Sequence, residues 1–270
     1  MAFRFGHTLI ASIFNGNGGW RLRDQFFKFD DFVLGRDKSG TNWFSEMKEA
    51  SEQMSPSADT AMVPDLTNFL FCQTCRGASA FGDDLAARNI QRGRDHGIPS
   101  YNSLRTFCGL APISTMYYSP PEINAQDWAN LAAVYTNVDQ IDAFSGGLAE
   151  QPTDDDSLVG PTFSCILTTQ FQRLMRGDRF FFAHPSEGAL KQQGLKLNSL
   201  LTVQSRSLSD IICDNTDAQR VPEKAMLSQN HPMQAMQSCA NANGLDFDGI
   251  AADILQDEIG ELTHVFIEPT

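Results

Sequence analysis

Apolar positions along this chain recur mostly at helical rather than strand spacing. Residues 2–14, AFRFGHTLIASIF, carry a pattern that predicts a helix running to the breaker Asn15-Gly16-Asn17-Gly18-Gly19. Residues 20–60 mix charges with the aromatic cluster Phe26, Phe27, Phe29 and Phe32, and read as short helices joined by loops. A helix is expected over 61–71, and another from Asp83 or Asp84, where an acid favours the positive helix end. Pro99 marks a turn or a helix start. Residues 122–136 read as helix after Pro120-Pro121, and 146–157, with Asp154-Asp155-Asp156, as a solvated loop. The strongest helical periodicity lies in 158–175, one or two further helices are expected over 190–212, and the pattern weakens from Asn215. No set of alternating strands stands out, so the class is mainly α with little or no sheet.

Composition narrows the function. The 270 residues include 41% hydrophobic types, enough for a sizeable core. No apolar run reaches the length of a membrane span. The net charge of −13 disfavours phosphate backbones and anionic lipid, so neither nucleic acid nor membrane is an expected partner. The first residues lack the features of a secretory signal, which taken alone argues for the cytosol. The six cysteines, Cys72, Cys75, Cys108, Cys165, Cys213 and Cys239, pull the other way. An even count fits disulfides, with fifteen full pairings open, and buried free thiols remain the alternative. There is no N-x-S/T sequon.

The chemistry concentrates in DDLAARNIQRGRDHGIPSYNSLRTFCGL, residues 83–110. Read blandly, this is a helix C-terminus: arginine and histidine complement the dipole, Asp95 pairs locally and Gly97 supplies a left-handed cap. The order Asn89-Ile90-Gln91-Arg92-Gly93-Arg94-Asp95-His96-Gly97, then Ile98-Pro99-Ser100-Tyr101-Asn102 and Phe107-Cys108-Gly109-Leu110, says more. It resembles the signature of the animal-type haem peroxidases, N-x-Q-R-x-R-D-H-G followed by I/L-P-x-Y-N and F-C-G-L. The opening Arg4-Phe5-Gly6-His7-Thr8-Leu9 resembles that family's proximal helix, R-[FY]-G-H-T-L.

The resemblance implies a helical haem peroxidase fold and haem b as cofactor. It makes His7 the axial ligand of the iron, whereas a lone histidine on an apolar helix is usually a satisfied core residue. Asn89 is implied as the acceptor, through its side-chain carbonyl, for the second imidazole nitrogen. Arg4 lies three residues before His7 on the same face, and with Arg92 is implied to pair with haem propionates. Gly6 would keep the helix slim under the macrocycle. His96 belongs to the structural R-D-H-G turn and is no ligand, while His184, His231 and His264 fall outside any motif. The resemblance further implies the disulfides Cys108–Cys165 and Cys213–Cys239, and with them an extracellular or secretory setting.

Cys72 and Cys75 in FCQTC lie outside the family pattern. A redox C-x-x-C lacks its βαβ context and a zinc site lacks two more ligands, which leaves a local disulfide or free thiols. An EF-hand reading of GLDFDGIAADILQDE fails, because it would put Gly244 and Leu255 where carboxylates belong.

The resemblance covers roughly the C-terminal, proximal half of a family catalytic domain, so residues 1–270 are expected to be a partial domain. The G-Q-x-x-x-H-D stretch with the distal histidine, the distal arginine and the calcium loop belong to the other half. The expected function is reduction of hydrogen peroxide with oxidation of a small donor, a halide or a phenol. This chain supplies the proximal side and none of the distal catalytic residues. The missing half or another chain is then a partner. The alternative is a truncated, non-catalytic protein that binds haem or a partner.

Overall fold

The computed structural model describes residues 1–15, 19–28, 41–73, 75, 80–154, 157–178, 181–183, 197–227, 230–242 and 244–251. Expectations for Phe29, Phe32, His184, residues 190–196 and His264 lie outside them. The chain divides into two compact units, Met1–Phe171 and Gln172–Thr270. The described residues are mainly helical, with two small antiparallel hairpins.

The first element, Ala2–Leu9, is a 3₁₀ helix. With three residues per turn, Ala2, Phe5 and Thr8 share one face, and Ala2 and Thr8 are buried. The same period stacks Arg4 directly before His7. The helix expected to reach residue 14 stops early. Ile10 is extended, and Ile13–Phe14 pair with Trp20–Arg21. The Phe14 and Trp20 rings stack at 4.2 Å, and Gln53 holds the turn by donating to the Ile13 carbonyl (2.8 Å) and accepting from Asn15 N (3.0 Å). Such a short strand leaves no alternation to read.

The helix expected over 61–71 is only Pro64–Thr67. Leu70 leaves it to bridge Asp83, and Phe71 follows at φ 55°. Asp65, 1% exposed, accepts from the Ser12 hydroxyl (2.6 Å) and from Arg23 N (3.0 Å), tying the exit of the first helix to this turn.

Helix Leu85–Asp95 starts at Asp84, whose carboxylate accepts from Ala87 N at 3.0 Å. It ends in a Schellman turn: Ile98 N donates to the Gly93 carbonyl and Gly97 N to that of Arg94, with Gly97 at φ 61°. Helix Tyr101–Phe107 ends in the same way, with Gly109 at φ 77°. The core gathers Tyr101, Ile123, Trp128, Val138, Ile141 and Ala149. Helix Ala143–Ala149 admits two rings through consecutive glycines: a Cβ on Gly146 would overlap the Tyr101 ring, and one on Gly147 the Phe163 ring.

A buried charge network joins these pieces. The Arg105 guanidinium is ion-paired with Glu122 (2.9 Å) and donates to Glu150 (3.3 Å), the Tyr101 hydroxyl (3.1 Å) and the Ala111 carbonyl (3.2 Å). Glu150 also accepts from the Tyr101 hydroxyl (2.7 Å), from Thr162 N (2.8 Å) and from the Thr162 hydroxyl (2.6 Å). Nearby, Cys108 is joined to Cys165 on helix Pro161–Gly177.

In the second unit, two helices, Leu197–Gln204 and Leu208–Asn215, stand where one or two were expected over 190–212, the latter opened by a Ser207/Asp210 capping box. Strands Arg220–Pro222 and Met236–Ser238 pair where the sequence pattern faded, and Cys213 is joined to Cys239. Buried Ser209 donates to the Pro222 carbonyl at 2.6 Å, fixing hairpin to helix. No described helix is long and apolar enough to cross a membrane.

Candidate functional site

Helices Ala2–Leu9 and Leu85–Asp95 bring together residues far apart in sequence. Asn89, 1% exposed, is fixed one turn inside its helix, and its amide nitrogen lies 3.0 Å from His7 Nδ1. Its carbonyl oxygen accepts from the Arg4 guanidinium at 3.2 Å. Three of the four residues selected from the sequence therefore form one chain of contacts: Arg4, Asn89, His7. The orientation differs from the expectation that the Asn89 carbonyl would face the imidazole. The carbonyl is taken by a charged donor, and charge-assisted hydrogen bonds outcompete neutral ones.

His7 is half-buried, and its acidity fits a neutral ring. Burial first, then the Arg4 charge, hold its pKa below the ordinary imidazole value, against a smaller upward push from the Asn89 hydrogen bond. The Nδ1 contact with the Asn89 side chain fixes the orientation of the ring. A Cβ built on Gly6 would meet nothing within 4 Å, so the backbone beside His7 faces open space. Phe3, on this same helix, has 69% of its surface exposed and lies edge-on to Phe171 at 5.9 Å.

Arg92 sits one turn beyond Asn89, exposed, and its side chain has no partner among the described residues. His96 is the C-cap of its helix, exposed, with Asp95 3.7 Å away. His231 takes part in a turn, accepting from Met233 N at 3.2 Å. No cluster of three or more histidine, cysteine or acidic side chains that would hold a bare metal ion occurs among the described residues.

Sequence reasoning missed the clamp that aims the Asn89 helix. Arg94 grips Asp142 with two nitrogens (3.0 and 2.6 Å), and Tyr135 donates to the same carboxylate at 2.8 Å. The Asp142 hydrogen bond, then its charge, raise the Arg94 pKa. The residues are 48 apart, beyond any local spacing rule. The only trace in the sequence is the arginine of the R-D-H-G stretch.

Comparison with known proteins follows from these two segments. A family model described as animal haem peroxidase matches residues 1–226. The chain is 36% identical to "Peroxidase-like protein 3" of Lottia gigantea over 248 residues, 91% of this chain and 76% of that protein. It is 37% identical to "Peroxinectin A" of Dictyostelium discoideum, covering 78% of this chain but 38% of that one. Against thyroid peroxidase of Canis lupus familiaris the identity is 36%, over 92% of this chain and 26% of the relative. The chain thus spans well under half the length of the last two. Among solved structures, Peroxidase A from Dictyostelium discoideum superposes with a TM-score of 0.58 at 32% identity, over 81% of this chain and 39% of that one. With its family match and these relatives together, the chain belongs to the animal haem peroxidase family.

Proposed function

We propose that residues 1–270 are part of one catalytic domain and form the proximal wall of a haem peroxidase site, in which His7 Nε2 would hold the iron of haem b. The observation that carries this reading is the contact of His7 with Asn89, 82 positions away, beside the open face at Gly6. The residues fit the group: a neutral imidazole, space for a flat macrocycle, and unengaged Arg92 for a carboxylate. When bound, haem supplies the redox chemistry that reduces hydrogen peroxide and oxidises a donor, a halide or a phenol.

This chain's residues would do four things. Arg4 and Arg92 would neutralise the propionates. Arg4, drawn to a carboxylate, would release the Asn89 carbonyl. That carbonyl would then accept from His7 Nδ1–H, which would leave the Nε2 lone pair for iron and make the ring more electron-rich. Phe3 and Phe171 cover apolar surface. The opposite wall must bring a base for the peroxide proton and a cation for developing charge, and it comes from another segment or chain. Three disulfides favour an oxidising, extracellular or secretory setting.

The test is haem titration of the full chain followed by absorption. Uptake at one site is expected, weakened about tenfold in Arg92→Gln if one charge-assisted contact is lost, and without a defined spectrum in His7→Ala. Equal uptake by all three proteins would contradict the assignment.

A further inference from the structure

The disulfide Cys72–Cys75 has no part in the haem site. It borders a cleft of about 260 Å³ shared with Arg23, Phe26, Lys28 and Gln73. We propose that this pair is a thiol–disulfide exchange site for small anionic monothiols.

Four observations carry this. The two cysteines are three residues apart, so the bond closes almost no loop and stabilises the fold least of the three; Cys108–Cys165 and Cys213–Cys239 span 57 and 26. The surrounding frame does not depend on the bond. Leu70 and Asp83 exchange both backbone hydrogen bonds (3.2 and 2.8 Å), and Gly82 N donates to the Asn68 carbonyl (2.6 Å). Access is one-sided, since Cys72 is 6% exposed and Cys75 is half-buried, so an incoming thiolate reaches Cys75 Sγ.

The charge around the cleft suits an anion. Arg23 lies over the Phe69 ring at 4.7 Å, with its Nε–H buried and without a partner among the described residues. Lys28 donates to the Asp24 carbonyl at 2.8 Å. The Asp24 carboxylate also borders the cleft, leaving one net positive charge among these three. Phe26 and exposed Phe71, 5.6 Å apart, form an apolar flank.

In the first step the incoming thiolate bonds to Cys75 Sγ, the Sγ–Sγ bond breaks, and Cys72 leaves as a thiolate that takes a proton from water. A second thiol attacks the mixed disulfide on the sulfur of the first, releasing Cys75. Two thiols are oxidised to one external disulfide, and two electrons and two protons end on Cys72 and Cys75. Cations beside a leaving thiolate lower its basicity and speed its departure.

The experiment treats the full chain with glutathione, quenches by alkylation and maps each cysteine by mass spectrometry. Cys72 and Cys75 should open about tenfold faster than the other four, with the glutathione adduct on Cys75. Arg23→Gln/Lys28→Gln should slow the reaction with both thiols, about fivefold more with glutathione than with cationic cysteamine. Lys28→Gln alone, at an exposed position, gives the same comparison if the double variant fails to fold. Opening no faster than Cys108–Cys165, an adduct on Cys72, or equal effects on the two thiols would overturn the proposal.

Discussion

Replacing Arg105 by methionine keeps the length of the side chain and removes its charge from a closed site. The Arg105 side chain is 2% exposed, that of Glu150 0%, and that of Glu122 21%. Breaking one partner out of a buried ion pair costs about 3–5 kcal/mol, because the remaining charge is left without compensation. Glu150 would keep the Tyr101 hydroxyl and both Thr162 donors, and Glu122 would reach water, so the lower end, about 3 kcal/mol, is expected. For a unit the size of Met1–Phe171 this lowers Tm by about 6–12 °C. Urea and thermal unfolding at neutral pH, with disulfides intact, measure it. Adding Glu150→Gln to Arg105→Met should return part of the loss, since the second change removes the stranded charge. A loss below about 1 kcal/mol, or a double variant as weak as the sum of the two single losses, would refute the reasoning.

Other sites give independent tests. Gly147→Ala places a methyl inside the Phe163 ring. It should cost about 2 kcal/mol by denaturant midpoint even after the helix-propensity gain of about 1 kcal/mol. Burial pushes the Asp142 carboxyl up, but hydrogen bonds from Arg94 and Tyr135 and the Arg94 charge outweigh it and hold the pKa below the ordinary value. Its contribution is therefore full above about pH 4 and lost as pH falls through the lowered pKa. Asp142→Asn should flatten that part of the acid limb in Tm against pH. Ser12→Ala leaves buried Asp65 one donor short and should cost about 1–2 kcal/mol in thermal unfolding, with Ser12→Thr closer to the parent.

The functional segment was legible because its chemistry is crowded and local. Asn89, Arg92, Arg94 and His96 lie within two turns of helix, and the Asp84 cap and Gly97 stop mark both ends by rules that act over a few residues. Which face of the first helix is buried was less legible, because a 3₁₀ period of three and an α period of 3.6 part by about 20° per residue, so an α reading drifts off the buried face over eight residues. Strands of two or three residues, such as Ile13–Phe14 and Arg220–Pro222, carry no alternation to detect. Arg105 with Glu150, and Arg94 with Asp142, are 45 and 48 positions apart and meet only through tertiary packing. Arg105 looks in sequence like any arginine near a helix end. Its burial becomes evident only once the core around Tyr101 has formed.

The central claim is that His7 ligates iron and Asn89 sets its hydrogen bond. Resonance Raman spectra of the haem-loaded chain in the ferrous state test it most directly, through the iron–histidine stretch. The account predicts a band in the parent protein, its loss in His7→Ala, and a shift to lower frequency in Asn89→Ala as the imidazole loses its acceptor. A band unchanged in His7→Ala would contradict it.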